Sequence, residues 1–161
     1  YTAGTAMLET AERLVVEERE PARQQFALLL GALHAMAGGE RAPKHVLDSY
    51  LLRALAIAGY APALVDCAHC GRAPVNSDGV LGHHRWFNPP MGGVLCSTCR
   101  IPGSASPAAE TLILLGALLA GNWSVVEAAD PRHVREASGL VAAFVQWQLE
   151  RGLRSLAYVE R

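Results

Sequence analysis

Two stretches, LVDCAHCGR at 64–72 and GGVLCSTCRIP at 92–102, hold all four cysteines of the chain, and each holds them as Cys-x-x-Cys. A turn of that spacing aims both sulfurs at one point. Cys67 and Cys70, met by Cys96 and Cys99, therefore supply the four soft ligands of a tetrahedral zinc site. Gly71 directly after Cys70 suits such a knuckle, because the next residue often needs positive φ and glycine adopts it without strain. Between the clips, GHHRWFNPPMGGVLC at 82–96 reads as two short strands around a Pro-Pro-x-Gly-Gly turn, with His84 and Trp86 alternating on one and Val94 and Cys96 on the other. The pattern predicts a module resembling a zinc ribbon, with one structural Zn²⁺ per chain.

Other uses of the thiols fit less well. Disulfides within each clip would close only tiny loops, in a chain without secretory features. A thioredoxin-type pair needs a βαβ setting, and iron–sulfur clusters use other spacings. A catalytic zinc needs an open position and a nearby base; neither HExxH nor HxE with a following PCxxC occurs, and four cysteines close the shell. Free or redox-active thiols remain the alternative to zinc. His69 lies between two of the cysteines and could replace one, but with four thiols already present an exposed knuckle histidine is the favoured reading.

Working outward, the cysteine module interrupts helical texture. With 161 residues, 51% of them hydrophobic, the chain is long enough for a real core and does not need covalent staples. Apolar residues recur at helical spacing over 6–20. They recur again over 21–39, with Phe26, Leu29, Leu30, Leu33 and Met36 on one side and Gly38-Gly39 as the stop. A third helix spans 42–60, with Pro43 in its first turn, Val46, Tyr50, Leu51, Ala54 and Leu55 in its stripe, and Gly59 at its end. From 64 to 106 prolines and glycines replace the periodicity. It returns at 106–123, where Ser106 is the expected N-cap and Pro107 the first helical residue, and continues through a short helix near 124–131 and a long one over 131–156 that Gly139 and Gly152 are expected to bend. The expected fold is mainly α, a helical domain with an inserted four-cysteine zinc ribbon-like module. Its parts are 1–62, 63–103 and 104–161.

Charge narrows the function. Fifteen acids offset fourteen Lys and Arg, with Lys44 the only lysine, so the strongly basic balance of a stand-alone nucleic-acid binder is lacking. No apolar run reaches the roughly 18 residues that span a bilayer. The chain is expected to be cytoplasmic. It opens within a helical pattern and without an initiator Met, as expected of a fragment of something longer.

Several runs together resemble the C-terminal part of the RecO family of bacterial recombination mediators: MLETAERL, LDSYLLRALAIAGYAPALVDCAHCG, GGVLCSTC and QWQLERGLRSL. The clips alone occur in many zinc modules, but the Gly-Tyr-x-Pro run leading into the first clip, joined to a Gly-Gly-led second clip, is more specific. The resemblance covers nearly the whole chain, and the family's usual N-terminal OB-fold would precede it. It implies a non-enzymatic, nucleoid-associated protein that binds single-stranded and duplex DNA and anneals complementary strands. It also implies work with RecR and capture of the acidic C-terminal tail of single-strand-binding protein to help load recombinase. The family's zinc site carries over onto Cys67, Cys70, Cys96 and Cys99. Tail capture would need a hydrophobic groove with a cation on the third helix, where Lys44, Tyr50 and Arg53 are the candidates.

For DNA contact the candidates are Arg85, beside Trp86 in a His-His-Arg-Trp run, and Arg151 and Arg154 on the last helix. The same letters fit an alternating ribbon strand and a solvated helix face with interleaved acids. The competing function is a zinc-stabilised helical protein-interaction module without nucleic-acid binding, for which the near-neutral charge speaks.

Overall fold

The computed structural model describes residues 2–15 and 21–159, except for the side chains at 15, 21 and 152–159. The chain forms two compact units, one of residues 1–61 with 117–128, the other of 62–116 with 129–161.

In the first unit three helices pack on one another: α1 (Thr2–Val15), α2 (Pro21–Gly38) and α3 (Pro43–Ile57). Pro43 opens α3, where its missing N–H is one that a helix start leaves unbonded anyway. Gly59, at φ +92, closes it with Tyr60 N–H donating to Leu55 O at 2.8 Å. Met7, Val46, Tyr50 and Ala54 form the buried centre, with Leu28, Leu29, Ala32 and Leu33 packed around it. Burying a side chain such as Met or Val contributes about 1.5–3 kcal/mol.

Buried polar groups then set how the helices meet. Gln25 Nε2 donates to Ala54 O at 2.8 Å, Tyr50 Oη to Met7 O at 3.2 Å, and Ser49 Oγ to Leu118 O at 2.7 Å. Each links one helix to a main-chain oxygen of another. The phase of α2 consequently differs from the stripe the sequence suggests: Gln25 faces inward, while Phe26 is 65% exposed and Leu30 is exposed too. Leu8 of α1 is likewise exposed. The expected continuation of the first helix over 16–20 lies outside the described residues.

The second unit is built on an antiparallel pair, β1 (Trp86–Asn88) and β2 (Gly93–Leu95), in the register Trp86–Leu95, Phe87–Val94, Asn88–Gly93. Pro89–Met91 make the intervening 3₁₀ turn, in which Asn88 Oδ1 accepts from Met91 N–H and Gly92 takes φ +91. Flanking chain widens the ribbon on both sides. Ala63 N–H donates to Gly92 O and its carbonyl accepts from Val94 N–H, while Phe87 and Ala105 exchange two backbone hydrogen bonds. Phe87 and Phe144 are both buried, their rings 6.3 Å apart and tilted 57°, which seats the ribbon on α6 (Pro131–Val159).

α4 (Ala109–Ala120) begins later than the sequence suggests. Ser106 and Pro107 precede it, and the Ala108 N–H is instead taken by Glu136 Oε1 of α6 at 2.9 Å. A carboxylate distant in sequence thus replaces the local cap. α5 (Trp123–Glu127) is the short helix that follows. Asp130 directly precedes α6, and its Oδ1 accepts from Arg132 N–H at 2.8 Å; that amide, followed by the Arg132 side chain, holds the carboxyl below its usual range. The helix runs unbroken through Gly139 and Gly152.

Gly93 is the tightest point of the ribbon. A Cβ there would collide with the Ala63 carbonyl oxygen and lie within 2.8 Å of two more Ala63 backbone atoms, at φ +146. Gly93→Ala is expected to destabilise the chain by roughly 3 kcal/mol and to loosen the second clip. Gly39→Ala, at φ +68 with open space around it, is expected to cost only about 1 kcal/mol. Chemical denaturation of the two variants side by side checks the difference.

Candidate metal centre

Each clip is a backbone knuckle. In the first, Gly71 at φ +74 turns the chain so that its N–H donates to Cys67 O, while Cys67 N–H donates to Arg72 O, both at 2.9 Å. In the second, Cys99 N–H donates to Cys96 O at 3.2 Å. The ribbon brings the two together: Ala68 N–H donates to Val94 O at 2.8 Å, and Cys96 N–H approaches Cys67 Sγ at 3.4 Å.

All four Sγ atoms lie within 4.8 Å of one another, and Cys70 Sγ and Cys96 Sγ are 3.8 Å apart. Sulfurs bound at about 2.3 Å to one tetrahedral ion sit about 3.8 Å from each other. The four cysteines therefore fit a single metal ion, and with four sulfurs in place no position is left for substrate. No disulfide joins them. Cys67 and Cys96 are buried beside Leu95, Cys99 is half-buried, and Cys70 is exposed. His69 is exposed and stands outside the cluster.

The thiols are unequal acids. Burial pushes the Cys67 thiol up, but the amides of Cys70, Cys96 and His69 outweigh it and bring its pKa down to about 6. At Cys96 the amide of Cys99 is the largest influence, and the thiol is again lowered. Cys99 goes the other way, pushed up to about 12, first by its hydrogen bond to the Cys96 sulfur and then by burial and its other sulfur neighbours. Four sulfurs this close cannot all ionise without a cation among them. A metal must displace the proton of Cys99, so affinity rises with pH, by about tenfold per pH unit for a one-proton exchange. Chelator competition across a pH series checks the slope. Serine at Cys67 or Cys96 is expected to abolish stoichiometric metal, read by elemental assay.

The other candidate residues fall in different places. Arg85 is exposed on the module, its Cζ 5.9 Å from the centroid of Trp86. Arg151 is exposed on α6, and the side chain of Arg154 lies outside the described residues. Lys44 is exposed in the first turn of α3. Tyr50 is not a surface aromatic: it is 1% exposed, and burial raises its hydroxyl pKa to about 12. Tyr50 and Arg53 do meet, in the lining of a cavity of about 280 Å³ that Lys44 does not reach. Arg41 and Trp123 complete that cavity, with the Arg41 Cζ 4.6 Å over the indole and its Nε 3.7 Å from Glu127 Oε1. That Nε is buried and makes no hydrogen bond among the described residues. Sequence spacing gave no hint of Arg41 and Trp123, since they come from segments far apart in the chain.

Fold and site define a mainly helical protein with four clustered cysteines able to hold one metal ion. Residues 1–157 match the family model described as Recombination protein O C terminal. Among similar curated proteins are the DNA repair protein RecO of a Nocardioides species, 66% identical over all 161 residues of this chain and 64% of its own length, and that of Streptomyces griseus, 55% identical over the whole chain and 62% of its length. The DNA repair protein RecO of Cutibacterium acnes is 47% identical over the whole chain and 64% of its length. No solved structure matches. The chain belongs to the RecO family, and it spans somewhat less than two thirds of the length of these relatives.

Proposed function

We propose that this chain is the scaffold and partner-binding part of a DNA repair mediator. The observation that carries this is the match of the entire chain to relatives named DNA repair protein RecO, at up to 66% identity. In this reading the protein binds single-stranded and duplex DNA, anneals complementary strands, and acts with RecR and single-strand-binding protein to load recombinase. It is no enzyme. Its metal is zinc, held by Cys67, Cys70, Cys96 and Cys99 for structure alone, which the all-sulfur donor set favours. It works in the cytoplasm, at the nucleoid; among the described residues no helix is long and apolar enough to cross a membrane.

The cavity lined by Tyr50, Arg53, Arg41 and Trp123 is the candidate receptor for the acidic, hydrophobic tail of single-strand-binding protein. An apolar side chain of the tail would enter against the α2–α3 wall, and its carboxylates would meet the two guanidiniums, Arg41 bringing a buried N–H that makes no hydrogen bond among the described residues and is only 3.7 Å from Glu127 Oε1. Fluorescence anisotropy with a tail peptide is expected to show Arg53→Glu and Arg41→Ala each weakening binding about tenfold or more, in line with loss of a charge-assisted hydrogen bond. Lys44→Ala should have a smaller effect. No binding of the peptide to the wild-type chain would remove this site.

The net charge of −1 favours a second reading, an interaction module that touches no nucleic acid. DNA titrations at several salt concentrations separate the two. If Arg151 and Arg154 meet phosphate, replacing both with Gln flattens the salt dependence by about two ion equivalents. An unchanged slope assigns them to the solvated face of α6.

A further inference from the structure

We propose that the outer face of the cysteine module, where Arg85 and Arg100 lie against Trp86, is a sequence-independent contact for the backbone of single-stranded DNA. This rests on the DNA-repair reading above and gives it a location. The half-buried indole of Trp86 packs against the Cys67–Leu95–Cys96 cluster, so the metal clips support it from within. Its exposed side carries cations. Arg100 holds its Cζ 4.2 Å from the ring centroid and Arg85 its own at 5.9 Å, and both arginines are exposed.

A guanidinium laid on an indole keeps its N–H donors at its rim, pointing away from the ring and free to fork onto a phosphate. Neither Arg85 nor Arg100 has a carboxylate partner among the described residues, in contrast to Arg41 and Arg132, which do. His84 Nε2 meets the Arg72 carbonyl at 2.8 Å and thereby ties together the two ends of the 72–84 loop beside β1. Charge complementarity points to an anionic polymer.

Cations held beside an aromatic ring point further, to an unpaired strand. A flat guanidinium backed by a ring offers an unpaired base a π-face and the adjacent phosphate its donors, whereas bases in a duplex are already stacked. Contacts to phosphate and to the face of a base carry no base-edge information. The contact should be indifferent to sequence.

The test uses the metal-loaded chain and a fluorescein-labelled oligo-dT, titrated at a series of salt concentrations with wild type, Arg85→Gln, Arg100→Gln and the double variant. The double variant is expected to bind about tenfold more weakly at moderate salt and to lose about 1.4 from the slope of log K against log salt, two single-strand phosphate contacts. Metal content and denaturation midpoint should stay at wild-type values. An unchanged slope overturns the proposal, as does a loss seen on a matching duplex but not on oligo-dT, and as does loss of metal from Arg100→Gln, which would make that arginine a counter-charge to the thiolates. Arginine modification by a dicarbonyl reagent on the wild-type chain gives a readout without substitution: oligo-dT is expected to protect Arg85 and Arg100, and their equal labelling with and without it overturns the proposal. The same titration on a protein that also carries the segment present in the longer relatives separates the two levels. If that protein binds oligo-dT with a slope the double variant does not alter, this contact fails and the repair reading stands; if it binds no DNA at all, both fall.

Discussion

The contact between the Gly93 backbone and the Ala63 main chain is the constraint on which the metal centre rests. Ala63 donates to Gly92 and accepts from Val94 across the missing Cβ of Gly93, and this brings the chain that enters the first clip alongside β2. Cys67 and Cys70 follow a few residues later on one side of that contact, while Cys96 and Cys99 follow on the other. The distance between sulfur pairs is therefore set by backbone hydrogen bonds in a three-residue ribbon. An ion then has only to replace protons. Two knuckles held this way lose less entropy on metal binding than two free turns would, since the loop between them is already closed.

A similar economy governs the α1–α3 unit. Its helices are apolar enough to associate in several ways, and the apolar stripe alone does not select one. Gln25, Tyr50 and Ser49 do, because each is buried and each must find an acceptor. A rotation of α2 that turned Phe26 inward would give up the Gln25–Ala54 hydrogen bond, a net contribution of about 0.5–1.5 kcal/mol. The exposed Phe26 and Leu30 are the visible consequence.

Charge is distributed by unit more than by sequence. The chain as a whole is nearly neutral, yet its arginines are not equivalent: Arg41 lies against Trp123 and Glu127, Arg132 is paired with Asp130, and Arg85 and Arg100 lie on Trp86 without an acidic partner among the described residues. A neutral total thus coexists with a local cationic face backed by the Trp86 ring. Net charge describes solubility and long-range steering, whereas contact depends on which guanidiniums are already neutralised.

Much of this was legible in the residue order. The two Cys-x-x-Cys clips, the glycines at 71 and 92–93, Pro43 and the Gly59 stop are local signals, because knuckles, tight turns and helix ends are decided within a few residues by φ preferences and missing donors. The helical class and the ligand set followed from them. Tertiary structure alone decided which face of α2 is buried, which carboxylate caps α4, and which cations meet which rings. Glu136 reaching Ala108, Arg41 over Trp123 and Arg100 on Trp86 join residues whose spacing carries no periodic signature. Their energies depend on distance in space and on desolvation, quantities that exist only once the chain has folded.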